Sequence, residues 1–207
     1  MASIVHYYRK TEPSHSLLPS VKEQLKNLGL EKDAEKITSV ETESCFNVSG
    51  GALSDVEKSR LEWLLSETFE HDNLRVEQSA LNGDNVMEFG PRLTFTSAFS
   101  SNAVSICKAC NLPIDRLEKS RRILFHTSST LSEEAIQEIK SMLHDRMTEQ
   151  EYTVPLASFD HGARPEPVQV IPIMAEGRAA LERINAERGL GFDEHDLDYY
   201  TELFKVC

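Results

Sequence analysis

The sequence predicts an α+β fold in which one β-α-β-α unit occurs twice and a small helical domain follows. Three observations indicate this fold: β-branched and aromatic segments alternate with segments of helical periodicity, their order recurs, and a proline-containing stretch then separates a purely helical region. The predicted domains are residues 1–148, an extended connector over 149–168 and a helical linker domain over 169–207. Within the first domain the repeats occupy residues of about 3–70 and 84–147.

The first repeat is predicted to run strand, helix, strand, helix. Its first strand covers residues 4–8, which are β-branched and aromatic. Leucine and valine then recur at helical spacing over 17–28, with Ser16 as a candidate N-cap. A long, partly alternating strand over 37–48 follows. The capping box that begins at Ser54 opens the second helix.

The second repeat has the same order. Its elements are a strand over 86–89 after the turn Asn82-Gly83-Asp84, a helix over 102–110, a strand over 114–126 and a helix that begins after Ser132. Ser100 and Ser101 are candidates to cap the first of these helices. An offset of 77 residues places Ile37 on Ile114, and an offset of 78 residues places Ser54 on Ser132. Two such units, each with a small sheet, are expected to bury their sheet faces against each other.

Composition narrows the function classes. The 207 residues carry a formal net charge of −12, and they contain neither a long uncharged apolar run nor a basic segment followed by one. We therefore expect a cytoplasmic protein that binds neither membrane nor nucleic acid. Tyr7 and Tyr8 beside Arg9-Lys10 leave single-stranded RNA binding on an open sheet as a minor alternative, which the acidic charge opposes.

Four cysteines suit a reduced compartment. Cys107 and Cys110 are spaced to share a metal ion or to form a redox disulfide. Because no second pair of cysteines or histidines completes a zinc site, the sequence predicts ordinary buried thiols and no metal site. The sequence also has no glycine-rich phosphate-binding motif and no nucleophile elbow.

The most unusual local stretch is Glu88-Phe89-Gly90-Pro91-Arg92, followed by a segment that includes Ser97, Ser100 and Asn102. It places a sharp turn, an arginine and several hydroxyl groups directly before a helix N-terminus, where free backbone N–H groups favour anions. One interpretation is a loop that contacts a partner, a phosphate or a carboxylate. The other is that the hydroxyl groups only cap the helix.

A second charged stretch ends the second repeat. The segment His144-Asp145-Arg146-Met147-Thr148-Glu149 contains four ionisable groups in six residues. It is interpreted either as a docking or proton-handling cluster or as a solvated helix end with local ion pairs.

Together these motifs resemble the N-terminal part of the large single-chain phosphoribosylformylglycinamidine synthase family. The similarity covers nearly the whole chain, in the segments 41–47, 88–107, Arg121-Arg122, 144–149, 176–181 and 191–201. The resemblance implies an amidoligase of de novo purine synthesis that converts formylglycinamide ribonucleotide, glutamine and ATP, with magnesium, into formylglycinamidine ribonucleotide. It also implies a PurS-like fused pseudo-dimer, a helical linker domain, and partner synthetase and glutaminase domains.

The resemblance assigns this chain a bridging role that shields ammonia transfer, and no catalytic residue or bound cofactor. The candidate interdomain contacts are Glu88, Gly90, Pro91, Arg92, Ser97, Ser100, Asn102, Arg121, His144, Asp145, Arg146, Thr148 and Glu149. The chain ends at Cys207, just before the family's Asn-Ser-Glu-His-Ser-Arg-His segment, so we expect an inactive N-terminal fragment. The alternative is a stand-alone module, from a truncated gene, that binds a ligand or a protein.

Overall fold

The computed structural model describes residues 4–83, 85–162, 164 and 167–206, and divides the chain into two compact units, Met1–His161 and Gly162–Cys207. The strands, all in the first unit, are β1 (Val5–Thr11), β2 (Ile37–Gly50), β3 (Leu74–Val76), β4 (Val86–Pro91), β5 (Ile114–Thr127) and β6 (Glu149–Glu151). The helices of this unit are α1 (Leu17–Asn27), α2 (Glu31–Lys36), α3 (Asp55–Leu65), α4 (Ala98–Ala109) and α5 (Glu133–Leu143). The predicted turn residue Asp84, the connector residue Pro165 and Cys207 lie outside the described residues.

The strands form one antiparallel sheet in the order β3-β1-β2-β5-β4-β6. The α+β prediction is confirmed, and the elements of the two repeats follow in the expected order. The expected packing of two sheet faces is wrong, because β2 and β5 pair edge to edge and join both repeats into one sheet. Ser44 pairs with Arg121, its own counterpart at the offset of 77 residues, so the pseudo-twofold axis passes between these two residues.

The helices cover one face of this sheet in two pairs. Residues of α1 and α5 pack on β4 and β5 around Ile123, whereas α3 and α4 pack on β2 and β5 around Phe46 and Leu117. These strand residues share a face, because side chains alternate along a strand and directly paired residues point the same way. The pseudo-twofold axis therefore lies between the two helix pairs.

The opposite face of the sheet carries a buried polar network. Glu43 and Asn47 on β2 and Glu118 and Ser120 on β5 are all at most 2% exposed. The Asn47 side-chain amide donates to Ser120 Oγ at 3.1 Å. Buried groups of this kind are nearly always hydrogen-bonded in proteins, and each of these four side chains is.

The predicted N-caps are confirmed for α3 and α5 and wrong for α4. Ser54 forms the predicted capping box with Glu57, and Ser132 caps α5 as predicted. The start of α4 was predicted four residues too late, because Ser97, not Ser100 or Ser101, is its N-cap. The sequence reasoning missed α2, β3 and β6, which are at most six residues long.

The second unit contains α6 (Ile173–Glu176), α7 (Arg178–Arg188) and α8 (Glu194–Val206). Its predicted first helix is divided, because Gly177 adopts a φ of 60° and ends α6. Gly189, in the left-handed conformation, ends α7 as expected. Asp193 caps α8 by accepting a hydrogen bond from the Asp196 backbone at 2.9 Å. The side chains of α7 that face the interior, Ala180, Leu181 and Ile184, are buried.

Candidate functional site

The loop around Gly90 and the charged segment 144–149 meet at one corner of the sheet. The strand β4 pairs with β6 through Gly90 and Gln150 and through Pro91 and Glu149. Beyond the strands, the Arg92 backbone N–H donates to the Thr148 carbonyl oxygen at 3.0 Å. We call residues 90–92, Arg121 and 144–149 the corner cluster. Two stretches that are distant in the sequence thus form a single surface.

Arg121 connects the strand β5 to the corner cluster through hydrogen bonds. Its Nη2 donates to both carboxylate oxygens of Glu149, at 2.9 and 2.8 Å, and to the Leu143 carbonyl oxygen at 2.9 Å. The Glu149 carboxylate also accepts from the Asp145 backbone N–H at 3.2 Å. Charge-assisted bonds of this kind fix geometry as well as adding energy. The end of α5 and the strand β6 are therefore held to β5 by one arginine.

Asp145 and His144 build the turn between α5 and β6. The Asp145 carboxylate accepts from the Met147 backbone N–H at 2.8 Å and from Thr148 Oγ1 at 3.2 Å. The His144 ring stacks on Phe89 at 4.8 Å between centroids. Its Nδ1 lies 2.7 Å from the Lys140 carbonyl oxygen, so Nδ1 carries a proton and donates it, because a carbonyl only accepts. These contacts give His144 and Asp145 structural roles.

The corner cluster presents two free side chains to solvent. Arg92 Nη1 donates to the Arg146 carbonyl oxygen at 3.2 Å, which holds the backbone there. The Arg146 guanidinium itself makes no ion pair or hydrogen bond with any residue that the structure describes, and Met147 is 81% exposed. A cation beside an apolar side chain on a fixed turn is suited to contact a partner surface.

Tyr152, which the sequence reasoning missed, closes the corner on its other side. Its hydroxyl donates to the Pro91 carbonyl oxygen at 2.6 Å and its backbone N–H donates to the Glu88 carbonyl oxygen at 2.8 Å. The ring lies against Gly90: a Cβ atom at that position would come within 2.6 Å of a ring carbon. The glycine is therefore required for close approach. The available signal was weak: an aromatic residue directly after the polar segment Glu149-Gln150-Glu151.

We expect Gly90→Ala to lower the free energy of unfolding by about 1 to 3 kcal/mol, because the added methyl group overpacks the buried Tyr152 ring. Urea unfolding followed by circular dichroism measures this change. Gly51→Ala is the matched control, because its Cβ would lie 3.4 Å from the nearest atom. If the Gly90→Ala loss persists when Tyr152 is also changed to leucine, the explanation by overpacking is wrong.

Glu88 does not belong to the corner surface. Its side chain lies on the polar face, where Ser120 Oγ donates to Glu88 Oε1 at 2.6 Å and Arg122 Nε lies 3.2 Å from Oε2. Burial raises the pKa of Glu88, and the Ser120 hydrogen bond and the Arg122 charge partly offset this rise. Glu88 is thus a member of the buried network rather than of an exposed contact.

Ser97 and Ser100 lie at the N-terminus of α4, where the chain supplies its own anion. Ser97 donates to the buried Glu118 carboxylate twice, from its backbone N–H at 3.2 Å and from Oγ at 2.5 Å. The Ser100 backbone N–H donates to Ser97 Oγ at 3.1 Å. Asn102 is exposed and makes none of these contacts. The position that the loop hypothesis gave to an external anion is therefore occupied by Glu118.

Neither Cys45 nor Cys107 has the environment of a nucleophilic thiol. Cys107 is 3% exposed in the core, and Cys45 is 1% exposed in the middle of β2. Burial raises the pKa of both, which disfavours the thiolate that a nucleophile or metal ligand requires. Among the described residues, Asp193, His195 and Asp196 cluster closely enough to hold a metal ion. The two aspartates, however, exchange capping bonds at the start of α8, which explains their proximity.

The fold and the corner define an α+β domain with one mixed surface whose backbone is fixed by hydrogen bonds. The family model for the N-terminal region of formylglycinamide ribonucleotide amidotransferase matches residues 43–157, and the chain belongs to this family. The resemblance drawn from the sequence motifs is thereby confirmed. None of the helices in the described ranges combines the length and hydropathy needed to span a bilayer.

Several curated relatives carry the name phosphoribosylformylglycinamidine synthase. The relative from Dictyostelium discoideum is 46% identical over 214 residues, which cover 98% of this chain and 16% of that protein. A probable chloroplastic or mitochondrial one from Arabidopsis thaliana is 43% identical, over 99% of this chain and 15% of its own length. The Homo sapiens protein is 36% identical, over 99% of this chain and 16% of its own length. The chain thus spans about one sixth of the length of these relatives.

Proposed function

We propose that this chain is the non-catalytic N-terminal part of an ATP-dependent amidoligase of purine biosynthesis. The larger enzyme would convert formylglycinamide ribonucleotide, glutamine and ATP into formylglycinamidine ribonucleotide, glutamate, ADP and phosphate. The chain would bridge its synthetase and glutaminase domains and shield the transfer of ammonia between them. The observation that carries this proposal is the corner cluster, which presents Arg146 and Met147 on a fixed turn.

The chemistry of ammonia gives this role a physical reason. Ammonia is lost when it is protonated or when it escapes into water, so its transfer requires surfaces that exclude water. A domain that supplies packing surfaces meets this need without any nucleophile. The corner cluster suits such packing, because Arg121 and Asp145 hold its backbone through hydrogen bonds before any partner arrives.

The cofactors and the compartment are part of the same proposal. We propose that ATP and magnesium bind elsewhere in the larger enzyme. The sequence has no glycine-rich phosphate loop, and the acidic cluster of Asp193 and Asp196 serves as the cap of α8. We propose a cytoplasmic location, although the name of the Arabidopsis thaliana relative gives a chloroplastic or mitochondrial one.

Arg146→Ala in the complete enzyme tests the bridging role. We expect the ratio of glutamine hydrolysed to product formed to rise about threefold. This factor corresponds to about 0.7 kcal/mol, the contribution of one surface ion pair. Glutaminase and product-forming rates are measured in parallel. Lys26→Ala, which removes an exposed cation from α1, is the control and should leave the ratio unchanged. An unchanged ratio in Arg146→Ala would contradict the contact at this corner.

A further inference from the structure

A pocket of about 210 Å³ lies between α3 and α4 on the helix-covered face of the sheet. We call it the α3–α4 groove. Its apolar lining is contributed by both helices and by the sheet beneath, through Phe46, Leu61, Leu64, Leu65, Phe99, Ala103, Ile106, Cys107 and Leu117. Phe99 and Ile106 remain 41% and 53% exposed. The groove is therefore an open apolar cleft and not a closed core.

The polar end of this groove carries an incompletely satisfied arginine. The Arg9 side chain is only 7% exposed, and its Nη1 lies 2.5 Å from Glu67 Oε1. Its buried Nε has no hydrogen-bond acceptor among the residues that the structure describes. A buried donor without an acceptor is rare and costs free energy. Arg9 lines the groove, but its Nε is shielded from solvent, so Arg9 contributes a positive charge to the groove and not an accessible donor at this atom.

Lys119 lies beside Arg9 and also lacks an acceptor. It pairs with Phe46 across β2 and β5, and its ammonium makes no ion pair or hydrogen bond within the described parts of the chain. Burial lowers the pKa of Lys119, and the charges of Arg9 and Arg121 lower it further. Glu67, which also lines the groove and pairs with Arg9, partly offsets this lowering. Glu67 balances one of the two lining cations, so the groove keeps an excess of one positive charge.

The strand register explains why cations collect here. Arg9 pairs with Ser44, and Ser44 pairs with Arg121, so the three residues form one row across β1, β2 and β5 on the same face. This row crosses the pseudo-twofold axis between the two helix pairs. A second cavity of about 500 Å³ at this place shares Lys119 and Phe99 with the α3–α4 groove. Arg9 and Arg121 are paired with Glu67 and Glu149, so Lys119 is the cation at this end of the groove that has no carboxylate partner among the described residues.

We propose that the α3–α4 groove binds a small apolar carboxylate. The carboxylate oxygens would accept hydrogen bonds from the Lys119 ammonium, the lining cation that Glu67 leaves unpaired. A phenyl or branched aliphatic body would pack between Leu61 and Leu65 of α3 and Phe99 of α4. A ligand site in this domain goes beyond the bridging role, and neither proposal depends on the other.

The test is a titration of 3-phenylpropanoate into the 207-residue chain, followed by the NMR signals of leucine methyl groups. We expect saturable shifts at Leu61 and Leu65, with a dissociation constant of about 1 mM or lower. Lys119→Met should weaken binding about tenfold, as for the loss of one charge-assisted hydrogen bond. Lys108→Met, at an exposed position of α4, is the matched control and should bind normally. The neutral 3-phenylpropanamide should bind at least about tenfold more weakly.

The proposal is overturned if no shift saturates below about 10 mM, if the amide binds as well as the carboxylate, or if Lys119→Met binds normally. The Lys119 ammonium provides a readout that needs no substitution, should that variant fail to fold. Its NMR-observed pKa should rise when 3-phenylpropanoate binds, because a bound anion favours the charged form. A Lys119 pKa that does not change on binding would also contradict the assigned site.

Discussion

Replacing Glu118 with glutamine is expected to lower the free energy of unfolding by about 3 to 5 kcal/mol. The Glu118 side chain is fully buried. It accepts two hydrogen bonds from Ser97 and one from Arg116 Nε at 3.1 Å. Glutamine keeps the size of the side chain but replaces one acceptor oxygen with an NH₂ group that must face a donor. The donors that lose their acceptor inside this partly buried cluster make the loss large.

Urea unfolding followed by circular dichroism measures this loss. Asp115→Asn is the control, because Asp115 is an exposed acid on the same strand and its replacement should change stability by less than about 0.5 kcal/mol. The total helical circular dichroism of the folded protein should also decrease, since Ser97 both caps α4 and holds Glu118. A loss below about 1 kcal/mol would show that Glu118 is not the anion that holds the start of α4.

Local signals predicted the helix starts that depend on nearby residues. Ser54 and Ser132 were found because each caps an N–H group three residues further along the chain. The start of α4 was placed wrongly because the serine-rich segment offers several capping candidates. What distinguishes Ser97 is its bond to Glu118, which lies 21 residues further along the chain. No local pattern contains that information.

The repeat could be predicted from the sequence, but its assembly could not. Apolar residues at matching positions, such as Ile37 and Ile114, identify two similar units. They do not tell whether the units pack by their faces or join by their edges, because both arrangements bury apolar side chains. Pairing of β2 with β5 satisfies the backbone groups at both inner edges, which face-to-face packing would leave unpaired.

The candidate site was likewise predicted in parts. The residues around Gly90 and the segment 144–149 were each identified as unusual, but their union depends on the pairing of β4 with the three-residue strand β6. A strand this short has almost no sequence signal. The cations of the α3–α4 groove were missed for a similar reason, because Arg9 and Lys119 become neighbours only through the sheet register.

Glu43→Gln is the second substitution with a large expected effect, a loss of about 3 to 5 kcal/mol in the free energy of unfolding. The buried Glu43 carboxylate accepts hydrogen bonds from the Ala80 backbone N–H and from Ser79 Oγ, both at 2.7 Å, and from Arg122 Nη1 at 2.9 Å. It therefore joins β2 and β5 to the segment 79–81. Removal of its charge leaves Arg122 with Glu88 as its remaining carboxylate partner among the described residues.

Glu41→Gln is a closely matched control for this substitution. Glu41 lies two residues earlier on the same strand and on the same face, but its side chain is 39% exposed and pairs with His126 at 2.7 Å. Glu41→Gln should lower the free energy of unfolding by less than about 1 kcal/mol. Hydrogen exchange separates the two roles of Glu43, since the Ala80 amide should lose protection if the carboxylate fastens segment 79–81. Reduced stability with unchanged protection at Ala80 would mean that Glu43 acts through Arg122 instead.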